Sequence, residues 1–92
     1  MKQPIRIVFD RHKNEENFRK HGQRLEDFEG FDEAPITVLD DRRDYSETRW
    51  RSFGRIDRLG YMIAFTVRDD EVRLISFRRA HEREMKRYDR SS

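Results

Sequence analysis

Residues 71–90 read EVRLISFRRAHEREMKRYDR. Val72, Leu74 and Ile75 supply the apolar body of a strand, and Phe77 extends it. Arg78 and Arg79 stand where that strand stops, and Ala80 opens a short, heavily charged helix with little apolar surface beyond Met85 and Tyr88. Arginines at a strand end are aimed by the sheet, so their planar forks keep a fixed geometry toward a phosphate. Strict alternation puts Ser76 and Arg78 on one face and Ile75, Phe77 and Arg79 on the other.

The chain before this corner reads as its scaffold. Tyr61 to Val67 is apolar on both faces and is expected to be a central strand. Asp69-Asp70 makes the hairpin turn that pairs it antiparallel with residues 71–79. Thr48 to Ile56 is a further strand, with Arg49, Arg51, Phe53 and Arg55 on one side and Thr48, Trp50, Ser52 and Gly54 on the other. Neither side is cleanly apolar, so one face is expected to stay wet. Ile36 to Leu39 is a brief strand, and Asp40 to Ser46 a charged connector. Near the N-terminus, Ile5 to Phe9 alternates as a strand. Asp10 as N-cap and Gly22 as stop bracket a helix over about residues 11–21. Its stripe of Asn14, Asn17, Phe18 and His21 is polar for a helix docked on a sheet. These side chains either satisfy backbone groups of a neighbouring loop or line a site; for the asparagines the first reading is preferred. Leu25, Phe28 and Phe31 predict a second, shorter helix ended by Pro35. The order β-α-α-β-β-β-β-α, with a mainly antiparallel sheet, is an α+β domain. One domain over residues 1–92 is expected, with a frayed tail at 89–92.

Composition narrows the function. Only 34% of the residues are apolar and 43% are charged, but seven Phe, three Tyr and one Trp provide core material. A chain of this size buries roughly 60–65% of its unfolded surface, so the core is thin. The absence of cysteine excludes a disulfide framework and thiolate metal sites. No signal-peptide segment or membrane-length apolar run is present, so a soluble, cytoplasmic protein is expected, with no membrane partner. His12, His21 and His81 show no metal-ligand spacing, and no metal or other cofactor is expected. Net charge is +2 but uneven: six basic against three acidic groups over residues 1–23, three against nine over 24–48, twelve against seven over 49–92. Arginine outnumbers lysine seventeen to four. A mixed-charge, solvated surface is the plain reading; a basic working face opposite an acidic side is the sharper one.

Arg49, Arg78, Arg79, Lys20, His21, Ser76, Trp50 and Tyr88 are the candidates for chemistry, if the first helix packs beside the sheet's end. Guanidinium and ammonium groups stabilise a pentacovalent phosphate. A histidine moves protons to and from a ribose 2′-hydroxyl and the leaving oxygen. Trp50 and Tyr88 suit stacking on an unpaired base. The same residue types also describe a passive RNA- or DNA-binding surface.

Asp10-x-x-Lys13-x-x-x-Asn17-x-x-Lys20-His21-Gly22 resembles the opening signature of the BrnT toxins. Glu47-x-Arg49-Trp50 with Gly54, and then Arg73-Leu74-Ile75-Ser76-x-Arg78-Arg79-Ala80 with Glu84 and Tyr88, match in the same order over nearly the whole chain. The resemblance implies a RelE/ParE-like fold and a toxin of a type II toxin–antitoxin system. Such a toxin would be an endoribonuclease that inhibits translation, and the lack of metal-ligand spacing makes a metal-independent one the expectation. It also implies a BrnA-like ribbon-helix-helix antitoxin, a hetero-oligomer with it, and operator DNA bound through that complex. The acidic 24–48 segment and the sheet edges are candidate antitoxin contacts. Lys20, His21, Arg49, Ser76 and Arg78 would carry the chemistry, and Lys13, Trp50, Arg79 and Tyr88 would contact RNA. Arg79, on the opposite strand face, also suits a scaffold or partner role, and Tyr88 also packs its helix. A non-catalytic binding module of the same fold is the alternative. The chain departs from the family pattern at Arg11, Arg24, Phe77 and His81. Arg24 in place of a capping Ser weakens the second helix start, and His81 either caps the last helix or adds a proton-transfer group.

Overall fold

The computed structural model describes residues 6–88. Ile5 and the expected frayed tail, Asp89 to Ser92, lie outside the described residues. In chain order the elements are β1 (Arg6–Phe9), α1 (Arg11–His21), a 3-10 turn (Leu25–Asp27), β2 (Ile36–Leu39), β3 (Trp50–Ile56), β4 (Leu59–Arg68), β5 (Glu71–Arg79) and α2 (Glu82–Tyr88). One mixed sheet runs β1-β5-β4-β3-β2, with β4 at its centre. β1 pairs parallel with β5 and the other neighbours are antiparallel, so the protein is α+β.

Local chemistry explains the boundaries. Asp10 is extended and accepts from the His12 N–H, while Gly22 turns left-handed at φ 71° and returns its N–H to Phe18 O at 2.8 Å. Arg19, Lys20 and His21 fill the last turn of α1, where the dipole favours cations. The expected second helix is a single 3-10 turn. Arg24 makes no side-chain cap, and the Leu25 N–H goes instead to Asn14 Oδ1 at 2.6 Å, a bond supplied by α1. The apolar stripe is buried nevertheless: Leu25 is fully covered, and Phe28 meets Phe31 and Phe77 edge-on at 5.1 and 5.3 Å.

The sheet carries apolar clusters on both faces. Leu25, Phe28, Ile63, Leu74 and Phe77 form one, on the side of the 3-10 turn. Phe53, Met62, Ala64, Ala80 and Met85 form the other, beneath α2. Here Gly60 has a packing role, since a Cβ there would overlap the Met85 side chain. Tyr88 stacks on Phe53 with ring centroids 4.2 Å apart, so the Phe53 face of β3 is partly covered by α2.

One expectation of alternation is corrected. The β4–β5 register steps from Ala64↔Ser76 to Phe65↔Leu74, leaving Ile75 as the extra residue of a β-bulge. Leu74 and Phe77 therefore share a cluster, and Ile75 packs with Met62 and Ala64 on the opposite side from Phe77. Ser76 and Arg78 still alternate with Phe77 and Arg79, because the bulge precedes all four.

Candidate functional site

β1 pairs with β5 only as far as Phe9↔Leu74, which leaves the outer edge of β5 open beyond Leu74. An open edge carries unpaired N–H and C=O groups. Asn17 closes it. Its Nδ2 donates to Phe77 O at 2.7 Å and Gln23 O at 2.8 Å, and its Oδ1 accepts from Phe77 N–H at 3.0 Å and Ser76 Oγ–H at 3.2 Å. The carboxamide thus takes the place of one strand residue and pins α1 against β5. The backbone-satisfying reading of the asparagines holds, and the backbone groups served are divided between β5 (Phe77 C=O and N–H) and the segment after α1 (Gln23 C=O and Leu25 N–H).

That clamp brings the end of α1 to the end of β5. His21, Arg78, Arg79, His81 and Glu84 line one open depression of ≈ 400 Å³. A smaller one of ≈ 160 Å³ adjoins it at His21 and is lined by Lys13, Glu16, Asn17, Lys20, Ile75 and Ser76. Burial lowers the His21 pKa below 6.5, and the charges of Arg78 and Lys20 lower it further. The imidazole is therefore a neutral acceptor at neutral pH.

Arg78 makes a two-pronged ion pair with Glu84, both contacts at 3.0 Å, and donates a further bond to the Arg79 carbonyl at 2.9 Å. Glu84 Oε1 also accepts the His81 backbone N–H at 3.0 Å. It closes the start of α2 as the reciprocal half of a capping box. Arg78 above all, and the His81 N–H, hold the Glu84 carboxyl at about 2. So the cap at this corner uses the His81 backbone, while the His81 imidazole is exposed to the depression.

Other expected members are placed apart. Arg49 precedes β3 at the level where Trp50 pairs with Phe65, whereas Arg78 pairs with Met62, with β4 lying between β3 and β5. Arg49 instead stacks on the Tyr45 ring at 3.8 Å, beside Arg42 and Arg43, and its buried Nε has no partner among the described residues. The connector around it is anchored by the buried Asp40, which pairs with Arg42 at 2.7 Å and is held at about 2, chiefly by that bond. Trp50 lies on the opposite sheet face from Ser76 and Arg78, since its partner Phe65 packs with the Leu74 cluster. Tyr88 is engaged with Phe53. Arg79, by contrast, does line the depression, with its Nε tied to Gly60 O at 3.2 Å. Glu84 entered the sequence reading only as a matched position; its pairing with Arg78 crosses a strand–helix corner that no periodicity describes. Among the described residues, no group of three His, Asp or Glu side chains is arranged to hold a metal ion.

The fold and site together describe a small α+β domain whose basic corner suits an anionic, phosphate-bearing ligand. A family model for ribonuclease toxins, BrnT, of type II toxin–antitoxin systems matches residues 9–84, and the chain belongs to that family. No curated protein matches it. The family description implies an RNA substrate and an antitoxin partner. No helix of the described residues is long and apolar enough to cross a membrane.

Proposed function

We propose that this chain is a metal-independent endoribonuclease that stops translation by cutting RNA at the corner between α1 and β5. The observation that carries the reading is the meeting of His21, its pKa lowered, with Arg78 in one depression. His21 takes the proton of a ribose 2′-hydroxyl. The 2′-oxygen attacks phosphorus and the bond to the 5′-oxygen breaks. The products are a 2′,3′-cyclic phosphate and a 5′-hydroxyl protonated from solvent. Arg78 and Lys20 stabilise the charge gathering on the phosphate oxygens. Ser76 spends its hydroxyl on Asn17 and acts by holding α1 in place. Lys13 extends the cationic surface along α1 toward the flanking RNA.

The wider reading is a RelE/ParE-like toxin, acting in the cytoplasm, neutralised by a BrnA-like ribbon-helix-helix antitoxin and repressing its own operon as the complex. A non-catalytic binding module is the second reading, favoured by the distance of Arg49 from the corner and the engagement of Arg78 with Glu84. Cleavage of RNA by the purified chain, with cyclic phosphate ends and in the presence of a chelator, separates the two. Arg78→Ala is expected to lower the rate about 10²–10³-fold, the usual effect of removing one charge-stabilising donor. Arg49→Ala is expected to change it far less. No cleavage by the wild type, and no growth arrest on its expression, would count against the enzyme; a chelator that abolished cleavage would sink the metal-free mechanism.

A further inference from the structure

Arg78 is held from one side. A guanidinium has five N–H donors. Nη1 gives one to Glu84 Oε1 and one to the Arg79 carbonyl, and Nη2 gives one to Glu84 Oε2. Among the described residues, Nε–H and the second Nη2–H have no partner. Those two donors point in parallel from the guanidinium edge not used by Glu84. Such an edge spans two oxygens of a phosphate.

We propose that Glu84 is the positioning residue for Arg78, fixing the guanidinium so that its Nε–Nη2 edge meets one phosphodiester of the RNA beside His21. The assignment rests on the phosphate-binding reading above. Glu84 is suited to the task because it is itself anchored: the His81 N–H holds Oε1, and the carboxylate stays ionised well below neutral pH. Lysine at position 78 cannot serve, since a single ammonium lacks the second prong.

Glu84→Gln and Glu84→Ala in the full chain test this. Glutamine retains an oxygen for the His81 N–H, as Glu and Gln interchange in capping boxes, but breaks the two-pronged ion pair. Glu84→Gln is expected to lower kcat/KM for RNA about tenfold to a hundredfold, the effect of a misaligned group, with most of the loss in kcat. Arg78→Lys should be as impaired as Arg78→Ala. If Glu84→Gln matches the wild type and only Glu84→Ala is impaired, Glu84 is merely a cap. If Glu84→Gln raises kcat/KM, the carboxylate competes with substrate. Either result overturns the assignment. A second readout is independent of cleavage: the Arg78 Nε–H resonance during titration with a 2′-deoxy oligonucleotide. It is expected to shift in the wild type and to lose that response in Glu84→Gln. If the wild type cuts no RNA but shows this pattern, the cleavage reading falls and the positioning role stands. An unresponsive Arg78 in the folded wild type overturns the positioning role.

Discussion

Asn17→Ala is expected to loosen the junction on which the corner depends. Asn17 is 4% exposed, and its carboxamide satisfies both backbone groups of Phe77, itself 3% exposed, as well as the Gln23 carbonyl and the Ser76 hydroxyl. Alanine leaves a buried N–H and a buried C=O on Phe77 without partners. An orphaned buried group costs about 1–3 kcal/mol, and water reaching the Gln23 and Ser76 side relieves the rest, so the two Phe77 groups set a total of about 2–6 kcal/mol. A domain of this length has roughly 5–14 kcal/mol of stability in all. A loss of about 3 kcal/mol lowers Tm by roughly 12–24 °C. Urea unfolding measures the loss, and hydrogen exchange at the Phe77 amide locates it. Asn17→Asp sharpens the test, because a carboxylate accepts from Phe77 N–H but faces the Phe77 and Gln23 carbonyls without a proton to donate. It should be worse than alanine at neutral pH and recover on acidification. A change below about 0.5 kcal/mol for either variant, the size of an ordinary surface substitution, would refute the idea that one side chain closes the β5 edge.

Three further outcomes follow from the geometry. Gly60→Ala should destabilise by about 1–3 kcal/mol through overpacking against Met85, and in a double-mutant cycle by urea unfolding it should cost less in a Met85→Ala background than in the wild type. Glu84 has its pKa lowered from 4.5 to about 2, so its contribution is present above 4.5 and is lost as pH falls from there toward 2. The shift corresponds to at most about 3 kcal/mol, and Glu84→Gln should remove that limb from the pH dependence of the urea midpoint. His21 has a lowered pKa, so cleavage should fall on the acid side with its midpoint below the ordinary histidine value of 6.5; a rate insensitive to pH there would exclude His21 as the base.

Much of the architecture was legible because it follows from short-range rules. Alternation located the strands, the doubly apolar Tyr61–Val67 run identified the central one, and Asp10 and Gly22 bounded α1 through cap chemistry. The family resemblance lay in spaced polar residues, and the family match covers the same stretch. Where the reading failed, longer-range packing intervened. The second helix is one 3-10 turn that ends where Phe28 becomes extended, and its first N–H is capped from α1 rather than by Arg24. Ile75 changed faces because a bulge adds one residue to β5 without altering the residue pattern on either side.

The candidate site divides in the same way. Sequence alone determined that the arginines at a strand end and the cationic end of α1 were the residues to watch, since strand and helix geometry aim neighbouring side chains. Only the tertiary structure decided which of them meet. Asn17 draws His21 to Arg78, while Arg49, just ahead of β3 and two strands away from β5, is stacked on Tyr45. Glu84 became visible at the corner because ion pairs form between groups close in space, and spacing along the chain carries no record of that distance.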